Sequence, residues 1–257
     1  MAILGLNATR LTRRASRCHH HFAGVIAGLG FLGGGAGGQT VPAKTAISGD
    51  LGFVSASGNT RLTTLSLGDK VVRTDGRWVV SQLAAYIYGE TNQKVTANQV
   101  RVAGRGDLAF NPRLGVFAGP SFERNTFAGF RRRTDEIAGL KWKAIVAPFD
   151  SLSLDGGGVL TQETNVAGSS RSYPSARAAA AYKHSFSSSA YFTQLAEYVP
   201  NLQASDERRL NTESAIVAPL SSHVGMKGGY IVRFNSKPPV GFGKTDRVLT
   251  TGIQVSF

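Results

Sequence analysis

The chain has 257 residues, of which 29 are lysine or arginine and 16 are aspartate or glutamate, so its formal net charge is +13. This excess of positive charge points to an anionic partner, such as a nucleic acid, a lipid surface or a small anion. Glycine contributes 31 residues and charged residues only 18%, a balance that excludes an extended disordered chain. Cys18 is the only cysteine, which excludes an intrachain disulfide framework and a cysteine-rich zinc site.

The first part of the chain has the order of a secretory leader. Arginines between residues 10 and 17 precede a short apolar segment at 22–32, and small residues follow. We predict that residues 1–43 are a cleaved signal peptide with a short lead-in, and that residues 44–257 form one exported domain. The glycine-rich tract at 33–38 interrupts the apolar stretch, so a membrane-spanning helix is not expected.

Beyond the leader, polar and apolar residues alternate in segments of about a dozen residues, which is typical of strands with one face in each environment. Twelve such segments can be counted, at 44–57, 61–73, 77–90, 97–110, 113–125, 132–146, 151–164, 173–186, 189–200, 208–219, 222–234 and 244–257. Each is long enough for the roughly 9 to 11 residues with which a tilted strand crosses a bilayer. We therefore predict an all-β protein, a transmembrane antiparallel up-and-down β-barrel of about twelve strands.

The predicted connections alternate in length. Those after the second, fourth, sixth, eighth and tenth segments are short, whereas those after the fifth, seventh, ninth and eleventh are longer and more polar, as at 165–172, 201–207 and 235–243. Outer-membrane barrels have short periplasmic turns and longer outer loops. The parity predicts that both ends of the domain lie on the periplasmic side.

Aromatic residues concentrate near both ends of the predicted strands, as expected for the two interfacial girdles of a membrane barrel. Near the periplasmic ends we place Trp78, Phe110, Phe149, Phe186, Tyr191, Phe192 and Phe257. Near the loop ends we place Phe53, Tyr86, Tyr88, Phe122, Phe127, Phe130, Tyr198, Tyr230 and Phe234.

The last segment alternates cleanly and stops at an aromatic residue. Ile253, Val255 and Phe257 share one face, and Gly252 lies on the other. A final alternating strand that ends in phenylalanine resembles the insertion signal of bacterial outer-membrane proteins. We expect these four residues to be read by the outer-membrane barrel assembly machinery.

Several short motifs carry a resemblance to a known family. They are GDLG at 49–52 followed by SGNT at 57–60, AYIYGE at 85–90, SFERN at 121–125 and KTD at 244–246. Together they resemble the YdiY-like salt-induced outer-membrane protein family, over about residues 45–257. The resemblance implies an outer-membrane barrel of a Gram-negative bacterium, and it brings no established catalytic residues.

If the apolar faces point outward, the charged side chains of the strands face the lumen. A lysine or arginine facing lipid near the bilayer midplane costs about 2 to 4 kcal/mol. The predicted lumen-lining residues are Lys70, Arg101, Arg105, Asp107, Glu123, Lys141, Lys143, Asp155, Arg177, Lys183, Glu213, Lys227 and Arg233. Two interpretations stay open: a weakly anion-preferring aqueous pore, or opposite charges that pair and plug the lumen. Asp69 falls on the outward face, unless a bulge near Gly68 turns it inward.

The predicted function is a passive porin-like channel or a structural envelope protein, and not an enzyme. The alternatives are an outer-membrane lipid-modifying enzyme and a soluble periplasmic lipid-binding barrel. Beyond the leader only His184, which points outward, and His223, which points inward, are present, without ligand spacing, so no catalytic, cofactor or metal site is expected.

The expected partners follow from the location and from how the charge is spread. Basic residues form no single stripe, so a nucleic acid is not expected. The arginine run at 131–133 is expected to contact lipopolysaccharide phosphates at an outer loop. Outer-membrane lipid surrounds the barrel, and small ions or solutes are the candidate permeants.

Overall fold

A computed structural model describes residues 44–56 and 62–257. The predicted leader, 1–43, and the first loop, 57–61, lie outside the described residues. The strands are β1 (Lys44–Ala56), β2 (Leu62–Asp75), β3 (Trp78–Thr91), β4 (Lys94–Ala109), β5 (Leu114–Asn125), β6 (Phe130–Val146), β7 (Asp150–Asn165), β8 (Ser170–Ser185), β9 (Tyr191–Pro200), β10 (Arg208–Pro219), β11 (Val224–Asn235) and β12 (Thr245–Ser256).

These strands form one closed antiparallel barrel. Each strand pairs with its neighbour in chain order, and β12 pairs back with β1. The predicted all-β barrel of twelve strands is therefore confirmed. The part of the chain that the structure describes contains no helix long and apolar enough to cross a membrane, and its one helical element is a single turn at Thr126–Ala128.

The distribution of polar and apolar residues is the inverse of that in a soluble barrel. Arg105 and Asp155 face the lumen with only 2% and 8% of their surface exposed. Leu140 and Leu249 face outward and are 64% and 72% exposed. A charged interior and an apolar exterior are the arrangement that suits a hydrocarbon surrounding.

Exposed aromatic residues form a ring at each end of the barrel. Trp78, Phe110, Phe149, Phe186 and Phe257 are exposed at the short-turn end, and Phe53, Phe122, Phe127, Tyr198 and Tyr230 are exposed towards the loop end. Trp78 and Tyr88 lie ten residues apart on the same face of β3, which is about 33 Å along a strand. At a strand tilt of about 40° this becomes about 25 Å, the usual height of the apolar band.

Two of the predicted girdle residues lie inside the barrel instead. Tyr191 is 6% exposed, and its hydroxyl donates a hydrogen bond of 2.7 Å to Oε1 of Gln254 across the lumen. Phe130 is 3% exposed, and its ring lies under the Arg133 guanidinium at 3.9 Å. Both residues lie at the strand ends where we place them, but they do not belong to the outer rings. Tyr191 faces inward in the alternation of β9, and Phe130 faces inward because register shifts between Glu123 and Asn125 and between Phe130 and Arg132 interrupt the alternation.

The connections follow the predicted parity only in part. Asn92 and Gln93 form a two-residue turn between β3 and β4, with φ values of 50° and 65°, which is typical of a type I′ hairpin turn. The loop predicted at 165–172 comprises only residues 166–169, because β7 extends to Asn165 and β8 begins at Ser170. The hydroxyls of Thr164 and Ser170 lie 2.9 Å apart at this end of the strand pair. The long loops are 201–207 and 236–244.

Strand β2 contains no bulge at Gly68. It pairs in unbroken register with β1 and with β3. Asp69 is therefore not turned towards the lumen. It stays on the outward face of β2 and is exposed.

Candidate functional site

The middle of the lumen is filled by an ion-paired group that we call the central cluster: Arg105, Asp107, Lys141, Asp155, Arg177 and Glu197. Arg105 donates from Nε and Nη2 to the two carboxylate oxygens of Asp107, at 3.0 and 2.8 Å. Its Nη1 donates to Oδ2 of Asp155 at 2.7 Å. The Arg105 side chain has no exposed surface and lies 3.9 Å from the centre of the Phe117 ring.

The cluster continues around the wall as far as β9. Nη1 of Arg177 shares Oδ2 of Asp155 with Arg105, at 3.4 Å, and its Nε donates to Oε1 of Glu197 at 2.6 Å. Lys141 donates from Nζ to Oδ1 of Asp107 at 3.2 Å. Strands β4, β6, β7, β8 and β9 supply these groups because each carries a charged residue at an inward position of its alternation. The cluster thus forms a continuous belt of alternating charge along the lumen side of β4 to β9.

Two further ion pairs reach across the barrel on the loop side of this belt. Arg233 on β11 donates to Oε1 of Glu123 on β5 at 2.6 Å. Arg209 on β10 donates to Asp135 on β6 at 3.2 Å. These strands lie on opposing parts of the wall, so the pairs bridge the lumen and divide its cross-section.

Loops and arginine pairs cover the outer mouth. Arg171 holds both carboxylate oxygens of Glu207, at 2.9 and 2.6 Å. The loop 236–244 packs Pro239 on Gly129, where an added Cβ would lie 2.7 Å from the proline ring. Residues Pro238, Gly243 and Lys244 line a cavity of about 70 Å³ at the loop end together with inward arginines and carboxylates.

An ion pair joins the two long loops. Lys237 forms an ion pair with Asp206, and the hydrogen bond from its ammonium lowers the pKa of the Asp206 carboxyl. Beside this pair, the backbone N–H of Arg208 donates to Oγ of Ser236 at 2.8 Å. The two loops therefore lie together at the outer mouth.

Five inward lysines lie in the short-turn half of the lumen, where Arg105 lies as well. Lys70, Lys141, Lys143, Lys183 and Lys227 lie near the short-turn ends of their strands. Lys227 donates to Oδ2 of Asp50 at 2.6 Å, and Nζ of Lys183 lies 4.5 Å from the centre of the Tyr191 ring. Lysine is a compact point charge, whereas arginine holds carboxylates with a rigid planar fork, and at Asp107 the two kinds of contact occur together.

The structure places every predicted lumen-lining residue on the inward side of its strand. Lys70, Arg105, Asp107, Lys141, Asp155, Arg177 and Glu213 are buried. Lys143 pairs in register with the buried Ser153, and Lys183 contacts the buried Tyr191. Arg101, Glu123, Lys227 and Arg233 line cavities inside the barrel.

Further charged residues also face inward. The alternation predicts Asp50, Asp135 and Glu163 there, whereas it missed Arg133, Arg171, Arg209, Glu197, Glu207 and Asp246. Arg133 belongs to a run that looked like a loop, but β6 already begins at Phe130. Glu197 lies on β9, whose inward face also carries Leu195 and Val199. Because apolar residues occur on both faces of β9, its own alternation gave no signal that could have placed Glu197.

The predicted insertion residues lie at the seam where the barrel closes. Ile253, Val255 and Phe257 are on the outward face, and Gly252 is inward. The backbone of Phe257 exchanges two hydrogen bonds with Ile47 of β1, at 2.8 and 2.9 Å. The last residue is thus part of the closing ladder, and its role in insertion stays a prediction.

Each histidine has a polar side-chain neighbour, and for His223 it is Ser222, whose Oγ lies 2.8 Å from Nδ1. Nδ1 of His184 lies 2.9 Å from Oδ1 of Asp150, which also accepts from the Tyr182 hydroxyl at 2.6 Å. His223 lies in the turn before β11, 5.8 Å from the Phe257 ring, so its predicted inward position was wrong. Within residues 44–56 and 62–257, no three His, Cys, Asp or Glu residues are grouped so as to hold a metal ion.

The fold and its interior define a closed β-barrel with a charged, cross-linked lumen and an apolar outer wall. The chain belongs to the family described as "Protein of unknown function, DUF481", whose model matches residues 49–257. The uncharacterized protein YdiY of Escherichia coli (strain K12) is 25% identical over 222 residues, which cover 83% of this chain and 84% of that protein. The resemblance predicted from the short motifs is therefore confirmed.

Solved structures of porins are similar at a distance. The NanC porin is 10% identical with a TM-score of 0.46, over 82% of this chain and 97% of that one. A KdgM porin in complex with disordered oligogalacturonate is 13% identical, also with a TM-score of 0.46, over 82% of this chain and 99% of that one.

Proposed function

We propose that this protein is a bacterial outer-membrane β-barrel whose lumen is closed by the central cluster, so that it serves as an envelope protein and not as an open diffusion pore. The membrane location is supported by the exposed apolar wall and by the aromatic ring at each end of the barrel. A leucine-rich exterior of this kind would associate non-specifically in water. The soluble periplasmic barrel is accordingly disfavoured.

The belt of paired charges carries the proposal of a closed lumen. Arg105, Arg177 and Asp155 have side chains that are 0%, 0% and 5% exposed, so little water reaches them. Removing one partner from such a buried group costs about 3 to 5 kcal/mol. A solute that separates these pairs would meet a barrier of that order, which favours the plugged interpretation over the aqueous pore.

Swelling of proteoliposomes in sugar solutions tests the closed lumen. We expect the wild-type protein to swell no faster than protein-free vesicles. The variant Arg105→Ser/Arg177→Ser should swell measurably faster, because it removes both cations that hold Asp155. Arg131→Ser/Arg132→Ser is the matched control, since both residues are exposed at the start of β6. Rapid swelling of the wild type would contradict the proposal.

The exposed arginines at the start of β6 support a contact with lipopolysaccharide. Arg131 and Arg132 lie at the loop end of the barrel, next to the aromatic ring that includes Phe127. A guanidinium group offers two parallel hydrogen bonds to a phosphate. Weaker co-purification of lipopolysaccharide with the Arg131→Ser/Arg132→Ser variant would support this contact, and unchanged co-purification would contradict it.

A further inference from the structure

Asp69 is an exposed charged residue in the middle of the apolar outer wall. It pairs in register with Gly49 of β1 and with Ala84 of β3. Ala84 lies six residues from Trp78 on β3, which is about 20 Å along the strand and about 15 Å in height at the usual tilt. Asp69 therefore lies near the centre of the band of about 25 Å that separates the two aromatic rings.

A second polar side chain lies beside Asp69 on the same surface. Gln82 faces outward on β3, since its neighbours Ser81 and Leu83 are buried on the lumen side. It lies diagonally across from Asp69, whose register partner is two residues further along β3. Within residues 44–56 and 62–257 neither side chain makes a hydrogen bond, and no ion pair joins Asp69 to Arg73, four residues away on the same face of β2. Ionisable groups at this depth are costly to leave against lipid and mark contacts with other groups.

Two glycines of β4 leave the adjoining wall without side chains. Gly104 pairs in register with Gln82, and Gly106 is the next outward residue of the strand. A Cβ on Gly104 would meet nothing within 4 Å, and one on Gly106 only the Ala118 carbonyl oxygen at 4.0 Å. Neither glycine has a positive φ, so neither the backbone conformation nor the packing within the chain demands glycine here. A glycine inside a strand often marks the close approach of another backbone.

We propose that this surface, Asp69 and Gln82 together with Gly104 and Gly106, associates with a second copy of the chain in the membrane. We call it the Asp69 face. It is self-complementary, because the carboxylate is an acceptor and the amide carries two donors. About a two-fold axis along the membrane normal, Gln82 of each copy donates to Asp69 of the other.

The depth of the two groups suits this pairing. Two copies in one membrane have the same orientation, so each presents its polar groups at the same depth as the other. Asp69 and Gln82 differ in height by about 5 Å, two residues of a tilted strand, which a glutamine side chain spans. The glycines let the two walls approach closely. The pairing presupposes the membrane location proposed above, but not the closed lumen.

Disulfide cross-linking tests the Asp69 face, because the barrel domain contains no cysteine. In phosphatidylcholine vesicles treated with copper–phenanthroline, purified Ala84→Cys should form a covalent dimer that persists when lipid is added in excess. Ala196→Cys is the matched control: it lies outward at a similar height on β9, six positions from β3 in the ring. It should cross-link only by random collision. Equal cross-linking at both positions, or none at Ala84→Cys, would overturn the dimer.

Replacing the polar groups tests their role. In the Ala84→Cys background, Asp69→Leu should lower cross-linking at least about tenfold, the loss expected for one hydrogen bond to a charged group. Heat-modifiable migration should show that this variant still inserts and folds. The exchange Asp69→Gln/Gln82→Asp, in which donor and acceptor change places, should restore the dimer. Unchanged cross-linking in Asp69→Leu would overturn the role of the carboxylate.

Bulk on the wall tests the close approach. Gly104→Leu should weaken cross-linking of Ala84→Cys, while Gly156→Leu on β7 should not, although a Cβ at either position meets nothing within 4 Å of its own chain. Equal effects would overturn the role of the glycines. Failure of the wild type to insert would contradict the membrane location, whereas insertion as a monomer would overturn the dimer alone. In intact cells, a photo-cross-linker at position 84 should give a product of twice the chain's mass, and a product of another mass would assign the face to a different protein.

Discussion

Arg233 and Glu123 meet at 2.6 Å although they start from opposite walls of the barrel. Their strands, β11 and β5, are six positions apart in a ring of twelve. The side chain of Gln99 also donates to Oε1 of Glu123 at 2.9 Å. Side chains span the full width at this level, so the lumen is narrower than the strand number alone implies.

We expect Glu123→Gln to lower the free energy of unfolding by about 2 kcal/mol or more, because it leaves Arg233 without its charged partner. Arg233→Gln in the Glu123→Gln background should cost less than in the wild type, with a coupling of about 1 kcal/mol. Urea unfolding in detergent micelles measures both values. Additive losses in the double-mutant cycle would show that the two side chains do not interact.

Two adjacent glycines on β7 are predicted to respond in opposite ways to an added methyl group. A Cβ on Gly157 would lie 2.1 Å from the Ala138 carbonyl oxygen, whereas a Cβ on Gly156 would meet nothing within 4 Å. We expect Gly157→Ala to lower stability by about 1 to 3 kcal/mol through overpacking. Gly156→Ala should be neutral or slightly stabilising. Thermal unfolding compares the two, and similar midpoints would contradict the close approach of β6 and β7.

Deletion of Phe257 should slow barrel assembly far more than deletion of Val240. The Phe257 backbone forms two hydrogen bonds with Ile47 in the closing ladder, and loss of the ladder exposes a strand edge. Val240 is fully exposed in the loop 236–244 and contributes no strand pairing. Pulse-chase folding measured by heat-modifiable migration decides this, and equal assembly rates would show that the terminus carries no insertion signal.

Variants that open the central cluster should differ in ion preference. Arg105→Ser/Arg177→Ser leaves Asp155 and Glu197 without their arginine partners, so its pores should favour cations. Asp155→Ser/Glu197→Ser leaves the two arginines in excess, so its pores should favour anions. Both preferences should weaken at 1 M salt, where the Debye length is about 3 Å. Reversal potentials of the same sign in both variants would contradict the assignment of these pairs.

The period-two alternation predicted the strand number and the inward direction of Lys141 and Asp155 from the sequence. Alternation fixes the face of a residue but not its partner. That Asp155 is shared by Arg105 and Arg177 depends on the width and shear of the barrel, which sequence does not determine.

Strand β9 shows where alternation becomes ambiguous. Its inward face carries Tyr191, Leu195 and Val199 next to Glu197, so apolar residues occur on both faces. The buried partners decide the register: the Tyr191 hydroxyl has Gln254, and Glu197 has Arg177. A residue whose burial depends on a distant partner could not be assigned from its own segment.

Planar-bilayer recording tests the closed lumen most directly. Purified wild-type protein inserted into the bilayer should give no persistent current steps, because the central cluster blocks the lumen. Under the same conditions Arg105→Ser/Arg177→Ser should give discrete steps, which proves that insertion and detection succeed. Stable steps from the wild type, of a size similar to those of the variant, would contradict a lumen closed by paired charges.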